Sequence, residues 1–266
     1  MPEATRPPVV LTCSGSDPSG GAGIEADIQA IHSIGAHATT AITALTVQNS
    51  RGLLEIHPVN ASVLLAQIRT ILQDIDVAVI KLGMLGSVEI AEALSFVLRD
   101  FPNIPVVLDP ILASGNGTPV CDDELLLFMR DQLFPQVSVL TPNAQEARRL
   151  APAADNLNAC AQALLDMGCD HVLITGGDEN TAEITNLFYS HRREMQVYHW
   201  ERIPGKFHGT GCTLASALAA LLAQGSELVN AVHEAQQFVW ESIRHAYPIG
   251  AGQWIPNRLF WANRKK

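Results

Sequence analysis

Three stretches of this 266-residue chain carry residues whose types and spacing could do chemistry on a charged ligand. In Gly209-Thr-Gly-Cys-Thr213, small residues precede an uninterrupted helix former, LASALAALLA, so the N–H groups of Gly209, Thr210, Gly211 and Cys212 would converge at a helix start. That arrangement stabilises negative charge developing on a transferring phosphoryl group. The same field is expected to lower the Cys212 pKa from about 8.5, giving a thiolate near neutrality that could take a hydroxyl proton. A lone cysteine at such a place is more often a small buried hydrophobe, and only the preceding Gly-Thr-Gly tips the reading toward catalysis.

Ser14-Gly-Ser-Asp-Pro-Ser-Gly-Gly-Ala-Gly23 follows a strand and opens a second helix, with glycines that let backbone approach a ligand. As a dinucleotide fingerprint it is weak, because no acidic ribose partner stands at the expected spacing. A tight strand-to-helix turn explains it about equally well. In Thr141-Pro-Asn-Ala-Gln-Glu146, Asn143 and Glu146 have capping-box spacing. Glu146 could equally hold Mg²⁺, directly or through water, and Asp109, at the end of the strand VVLD, could share that duty.

The elements that must position these groups can be read from hydropathy. Apolar runs at 9 to 13, 39 to 45, 77 to 83, 105 to 109, 137 to 141 and 171 to 175 alternate with helical spacing such as Ile24, Ile28 and Ile31. Runs apolar on both faces predict a mostly parallel sheet covered by helices on two sides, an α/β three-layer fold. Residues 184 to 200 read as an antiparallel edge hairpin turning at 191 to 193, and helices are predicted over about 210 to 224 and 227 to 246. No repeat or convincing linker divides the chain, so residues 1 to 266 are read as one domain.

Composition narrows the function. A net charge of -10 with only four lysines disfavours nucleic acid as a partner, and a small molecule is expected instead. Five scattered cysteines without a C-x-x-C pair fit a reducing cytoplasm, and no run is long enough to span a membrane. P-loop, protein-kinase, H-E-x-x-H and G-x-S-x-G signatures are missing, and His57, His171 and His199 are read as structural or surface residues.

In chain order, GSDPSGGAGIEAD (15 to 27), ITALTVQNS (42 to 50), KLGML (81 to 85), VLDP (107 to 110), TPNAQEA (141 to 147) and HGTGCTLASALAA (208 to 220) resemble the hydroxymethylpyrimidine/phosphomethylpyrimidine kinases of thiamine biosynthesis. These form a branch of the ribokinase-like superfamily. The resemblance implies a ribokinase-like fold and two successive phosphorylations, of 4-amino-5-hydroxymethyl-2-methylpyrimidine and then of its monophosphate, with ATP as donor and Mg²⁺ as cofactor. It implies that Gln48 reads the aminopyrimidine edge while Gly15, Ala22, Thr46 and Met84 line the ring pocket. Cys212 would be the base, with Gly209, Thr210 and Gly211 in its anion hole. Asn143 and Glu146 would serve Mg²⁺ and the ATP phosphates, with Thr175 and Gly177 also at the nucleotide.

Two departures stand out. The family's K-G-G-H segment appears as Thr175-Gly-Gly-Asp178, exchanging a cation and a histidine for a hydroxyl and a carboxylate; Lys206 or an arginine is the expected substitute. The C-terminal segment HAYPIGAGQWIPNRLFWANRKK is read as a cap on the fold in preference to a dimer contact, although a homodimer is admitted. The alternatives are a pyridoxal or pyridoxine kinase of the same fold, disfavoured by Gln48, and a non-catalytic pyrimidine sensor, supported only by the altered T-G-G-D segment.

Overall fold

Strand-length apolar runs do form the centre of the molecule. The structure, a computed structural model, describes residues 6–190 and 195–262. Its strands are β1 (Val9–Ser16), β2 (His37–Asn49), β3 (Gly52–Pro58), β4 (Val77–Leu82), β5 (Val106–Leu108), β6 (Val139–Leu140), β7 (His171–Ile174), β8 (Glu183–Ser190) and β9 (Met195–Glu201). Between and after them come α1 (Gly23–Ile34), α2 (Ala61–Asp74), α3 (Val88–Asp100), α4 (Asp123–Phe128), α5 (Ala144–Leu150), α6 (Leu157–Asp166), α7 (Thr210–Ala223) and α8 (Leu228–Arg244).

The strands form one sheet in the order β3-β2-β1-β4-β5-β6-β7-β8-β9. From β2 to β7 all neighbours run parallel. Alternate residues of the parallel strands therefore feed two cores. Leu11, Cys13, Ile80 and Leu82 pack with α2 to α6 on one face. Val10, Val79, Val107 and Leu173 pack with α1, α7 and α8 on the other. The expected three layers follow, because each face of the parallel strands must be covered. Helix α7 is buried along most of its length, so its N-terminus is driven to the sheet's C-terminal edge.

Both edges are antiparallel. The expected edge pair is present as β8 and β9, and its turn at 191 to 193 lies outside the described residues. The opposite edge, β3 against β2, was not anticipated. Strand β3 exposes Leu54, Glu55 and His57, so it lacks the continuous apolar run of a strand covered on both faces. Among the described residues no helix is long and apolar enough to cross a membrane.

The C-terminal segment does fold back as a cap. Trp254 bridges to Phe207 and Ile255 to Tyr247, and the Gln253 N–H donates to the Ser50 carbonyl at 2.7 Å.

Candidate active site

The parallel strands end on one side of the sheet, and the loops that leave them surround a cleft of about 610 Å³. Gly15, Ala22, Thr46, Gln48 and Met84 line it at one end. Asn143, Glu146, Thr175 and Gly177 line the other, with Asp109, Gly209, Thr210, Gly211 and Cys212 also in the lining. Each residue singled out from the sequence thus faces one space. His57, His171 and His199 are elsewhere; His57 and His199 pair with Glu55 and Glu183 at the surface.

The first end rests on a turn fixed by a carboxylate. Asp17 Oδ1 accepts from the Ser19 N–H and Oδ2 from the Ala22 N–H, both at 2.8 Å, and Oδ2 also meets His208 Nε2 at 2.8 Å. Burial opposes the charge, yet the bonds to His208 and Ser19 hold the Asp17 carboxyl down to about 2. Neither Asp17 nor His208 was assigned a role from sequence, although both lie inside the quoted motifs. The Met84 terminal methyl rests where a side chain on Gly15 would be, so a larger residue there would displace Met84 from the pocket wall. Thr46 Oγ1 donates to the Ser16 carbonyl at 2.8 Å and ties β2 to the same turn.

Beneath the cleft, Lys81 is fully buried and donates to both oxygens of Asp27, at 3.0 and 2.9 Å. Asp27 also accepts from Thr12 at 2.6 Å and Ser216 at 2.7 Å, which saturates the carboxylate. Burial would strip the Lys81 proton, but Asp27, with Asp109 nearby, holds the ammonium above the ordinary lysine range. A lysine inside the apolar run VAVIKL is a sequence signal for a buried cation, though not for its partner.

Gly209 caps α7 with φ of 83°, a left-handed conformation, and a methyl there would strike the Gly21 carbonyl. The expectation of a ready thiolate at Cys212 is corrected. Its side chain is only 5% exposed, and burial pushes the thiol up to about 12 despite the pull of Lys81 and the Gly23 N–H. Desolvation of the sulfur outweighs the favourable field.

The carboxylates of the other end are raised as well. Burial lifts Asp109 to about 6, against Lys81, and lifts Glu146 to about 8 with the help of the Asp109 charge. Glu146 forms the expected capping box, donor and acceptor exchanged with Asn143 at 2.9 and 2.8 Å. Asp109 Oδ2 is buried, lacks a hydrogen-bond partner and faces the helix start at Gly211. These two hard-oxygen groups fit Mg²⁺, which takes the rest of its shell from water and phosphate. Among the described residues no group of three His, Cys, Asp or Glu makes a fuller metal site.

The altered Thr175-Gly-Gly-Asp178 segment has a local explanation. Asp178 accepts from the Gln145 N–H at 2.9 Å and the Ala144 N–H at 3.3 Å, so its carboxylate caps α5. Arg202 donates to the carbonyls of Gly177, Glu179 and Thr181 and pins the loop. Lys206 is exposed at the cleft rim. Beside Thr175, Gly177 and Gly211, a second space of about 260 Å³ is lined by Trp200 and Trp240, whose rings pack against each other at 6.2 Å. A planar heteroaromatic base would fit such walls.

Comparison with known proteins places this geometry. The phosphomethylpyrimidine kinase family profile matches residues 17–257. The hydroxymethylpyrimidine/phosphomethylpyrimidine kinase of Mycobacterium tuberculosis is 39% identical over 97% of this chain and 96% of its own length. A probable thiamine biosynthetic bifunctional enzyme of rice is 36% identical over 92% of this chain, which spans only 46% of that longer protein. The ADP complex of Bacillus subtilis pyridoxal kinase superposes with a TM-score of 0.89 at 28% identity, covering 97% of this chain and 100% of the other. With the family profile running through almost every loop of the cleft, the chain belongs to the phosphomethylpyrimidine kinase family.

Proposed function

We propose that the chain transfers the γ-phosphoryl group of ATP to the hydroxymethyl oxygen of 4-amino-5-hydroxymethyl-2-methylpyrimidine, and then to the phosphate of the product, within thiamine biosynthesis. The observation that carries the reading is the convergence of Gln48, Met84, Cys212, Asp109 and Glu146 on one cleft next to an aromatic-walled space. Gln48 is the specificity group, since a carboxamide donates and accepts in one plane, as an aminopyrimidine requires. Adenine lies in the space lined by Trp200 and Trp240, and the phosphates run past Thr175 and Gly177 toward Gly211.

In the first step the acceptor oxygen bonds to the γ-phosphorus as the bond to the β-bridging oxygen breaks, leaving ADP. The hydroxyl proton goes to Cys212 Sγ. The N–H groups of Gly209 to Cys212 take up the charge on the transferring group, a task of positioning and electrostatics more than of covalent chemistry. With the thiol raised to about 12, the thiolate is the minor form at neutrality, so turnover should climb with pH. Asp109 and Glu146 would hold Mg²⁺, which when bound neutralises charge on the phosphates. Leu45, Val47 and Leu54, exposed on β2 and β3, are the face on which a homodimer would close.

A pyridoxal kinase reading has the structural likeness to the Bacillus subtilis enzyme in its favour. The Mycobacterium tuberculosis relative, matched along nearly its whole length at higher identity, supports the pyrimidine. Steady-state ADP release with each acceptor separates them. A larger kcat/KM for the pyrimidine is expected, and a clear preference for pyridoxal would overturn the assignment; ligand binding without ADP would select the sensor.

A further inference from the structure

The largest fully buried side chain of the described residues is a cation, Arg258, delivered by the C-terminal segment and 1% exposed. Its partners are all neutral. Nε–H donates to Thr213 Oγ1 at 2.8 Å, Nη2 to the Gly21 carbonyl at 2.5 Å and the Gly209 carbonyl at 3.4 Å, and Nη1 to Gln29 Oε1 at 3.4 Å. Thr213 in turn donates its hydroxyl to the Gly209 carbonyl at 2.7 Å. One guanidinium therefore clasps both glycine turns of the cleft, Asp17 to Gly23 and His208 to Cys212.

The nearby carboxylates are engaged elsewhere. Asp27 is neutralised by Lys81, and Asp17 is held by His208 and two backbone N–H groups. A buried guanidinium without its own counter-ion is costly to retain for packing alone. Its bonds have a direction that suits an anion. The Gly209 carbonyl belongs to the same peptide unit as the Thr210 N–H, so donation to that oxygen polarises an N–H at the start of α7. Thr210 lines the cleft.

We propose that Arg258 is a positioning residue that charges the anion hole from behind, and that an acceptor already bearing a phosphate depends on it more than the neutral alcohol does. The inference rests on the two-step kinase reading above.

The test compares Arg258→Gln and Arg258→Lys with the unaltered chain, using the pyrimidine alcohol and its monophosphate as acceptors. Arg258→Gln should lose about tenfold more kcat/KM for the monophosphate than for the alcohol, the size of a charge acting across a few ångströms of partly dry protein. Arg258→Lys keeps the charge and loses the fork, so both acceptors should slow together with their ratio within about threefold of the unaltered chain. Equal losses for both acceptors in Arg258→Gln would make the residue structural only. If Arg258→Gln does not fold, the lysine variant decides, because a tenfold change in its acceptor ratio contradicts a role for the charge. If the unaltered chain phosphorylates neither acceptor, the kinase reading fails separately. Calorimetric titration with inorganic phosphate then tests Arg258 alone: tighter binding to the unaltered chain than to Arg258→Gln is expected, and equal binding or none overturns the proposal.

Discussion

The two ends of the cleft handle charge in opposite ways. At the end built by β1, α1, β4 and α7, the buried carboxylates are settled within the chain: Asp27 is paired with Lys81, and Asp17 is held to about 2 by His208 and N–H groups. At the end built by β5, β6 and α5, burial pushes Asp109 and Glu146 to about 6 and about 8, Lys81 offsets only part of the rise at Asp109, and both line the cleft. The carboxylates of the first end are settled before any ligand arrives. The second carries an electrostatic cost that a divalent cation would relieve, so under the proposed function the first, acceptor end is preorganised and the second, nucleotide end is completed by what it binds.

Cys212 lies at the meeting point, and changing it should produce the largest effect. Cys212→Ser should retain the fold and pyrimidine binding but lower kcat by ~10² or more, the low end of general-base contributions. Cys212→Asp sharpens the comparison, because it places on the acceptor side a carboxylate of the kind found at the other end. Turnover of the unaltered enzyme should keep rising with pH through neutrality, whereas the aspartate variant should plateau at lower pH. A kcat profile that is flat for both would remove the thiol from the proton transfer.

How much of this contrast was visible beforehand depends on the distance over which each part is determined. The parallel strands were legible because burial on both faces leaves an apolar run in the sequence, and β3 was not because it alternates with exposed Leu54 and His57. Gly209, Asn143 and Glu146 were legible because helix starts have local chemistry. The protonation of Cys212 was not, since it depends on how completely the sheet and α7 exclude water from one sulfur. Lys81 and Asp27 are 54 positions apart and Arg258 and Gly21 are 237 apart, so no local pattern pairs them. Asp178, which looked like a lost phosphate site, proved to be a helix cap.

The nucleotide end should also be visible in stability. Because the folded chain keeps a proton on Glu146 that the unfolded chain releases near pH 4, folding stability falls as pH climbs from that range through about 8. Asp109 adds the same sense up to about 6. Without divalent cation, Tm should therefore drop between pH 6 and pH 8.5, at roughly 2–4 °C per kcal/mol for a chain of this size. Added Mg²⁺ should raise Tm more at pH 8.5 than at pH 6, and Glu146→Gln should flatten both trends. A Tm that rises with pH in the absence of metal would contradict the charge strain assigned to this end.

The smallest effect belongs to Asp178, whose carboxylate is exposed and bonded to two N–H groups at the start of α5. Asp178→Ala should cost on the order of 0.5–1 kcal/mol in denaturant unfolding, the loss of a surface cap together with its favourable place at a helix N-terminus. Its removal also takes a negative charge from beside Glu146, which should bring the Glu146 carboxyl down and weaken the pH dependence of Tm. The cap and the charge pull in opposite directions, so the net loss should shrink as pH rises from 6 to 8.5. A loss independent of pH would mean that Asp178 acts on α5 alone and that the strain at the nucleotide end resides entirely in Asp109 and Glu146.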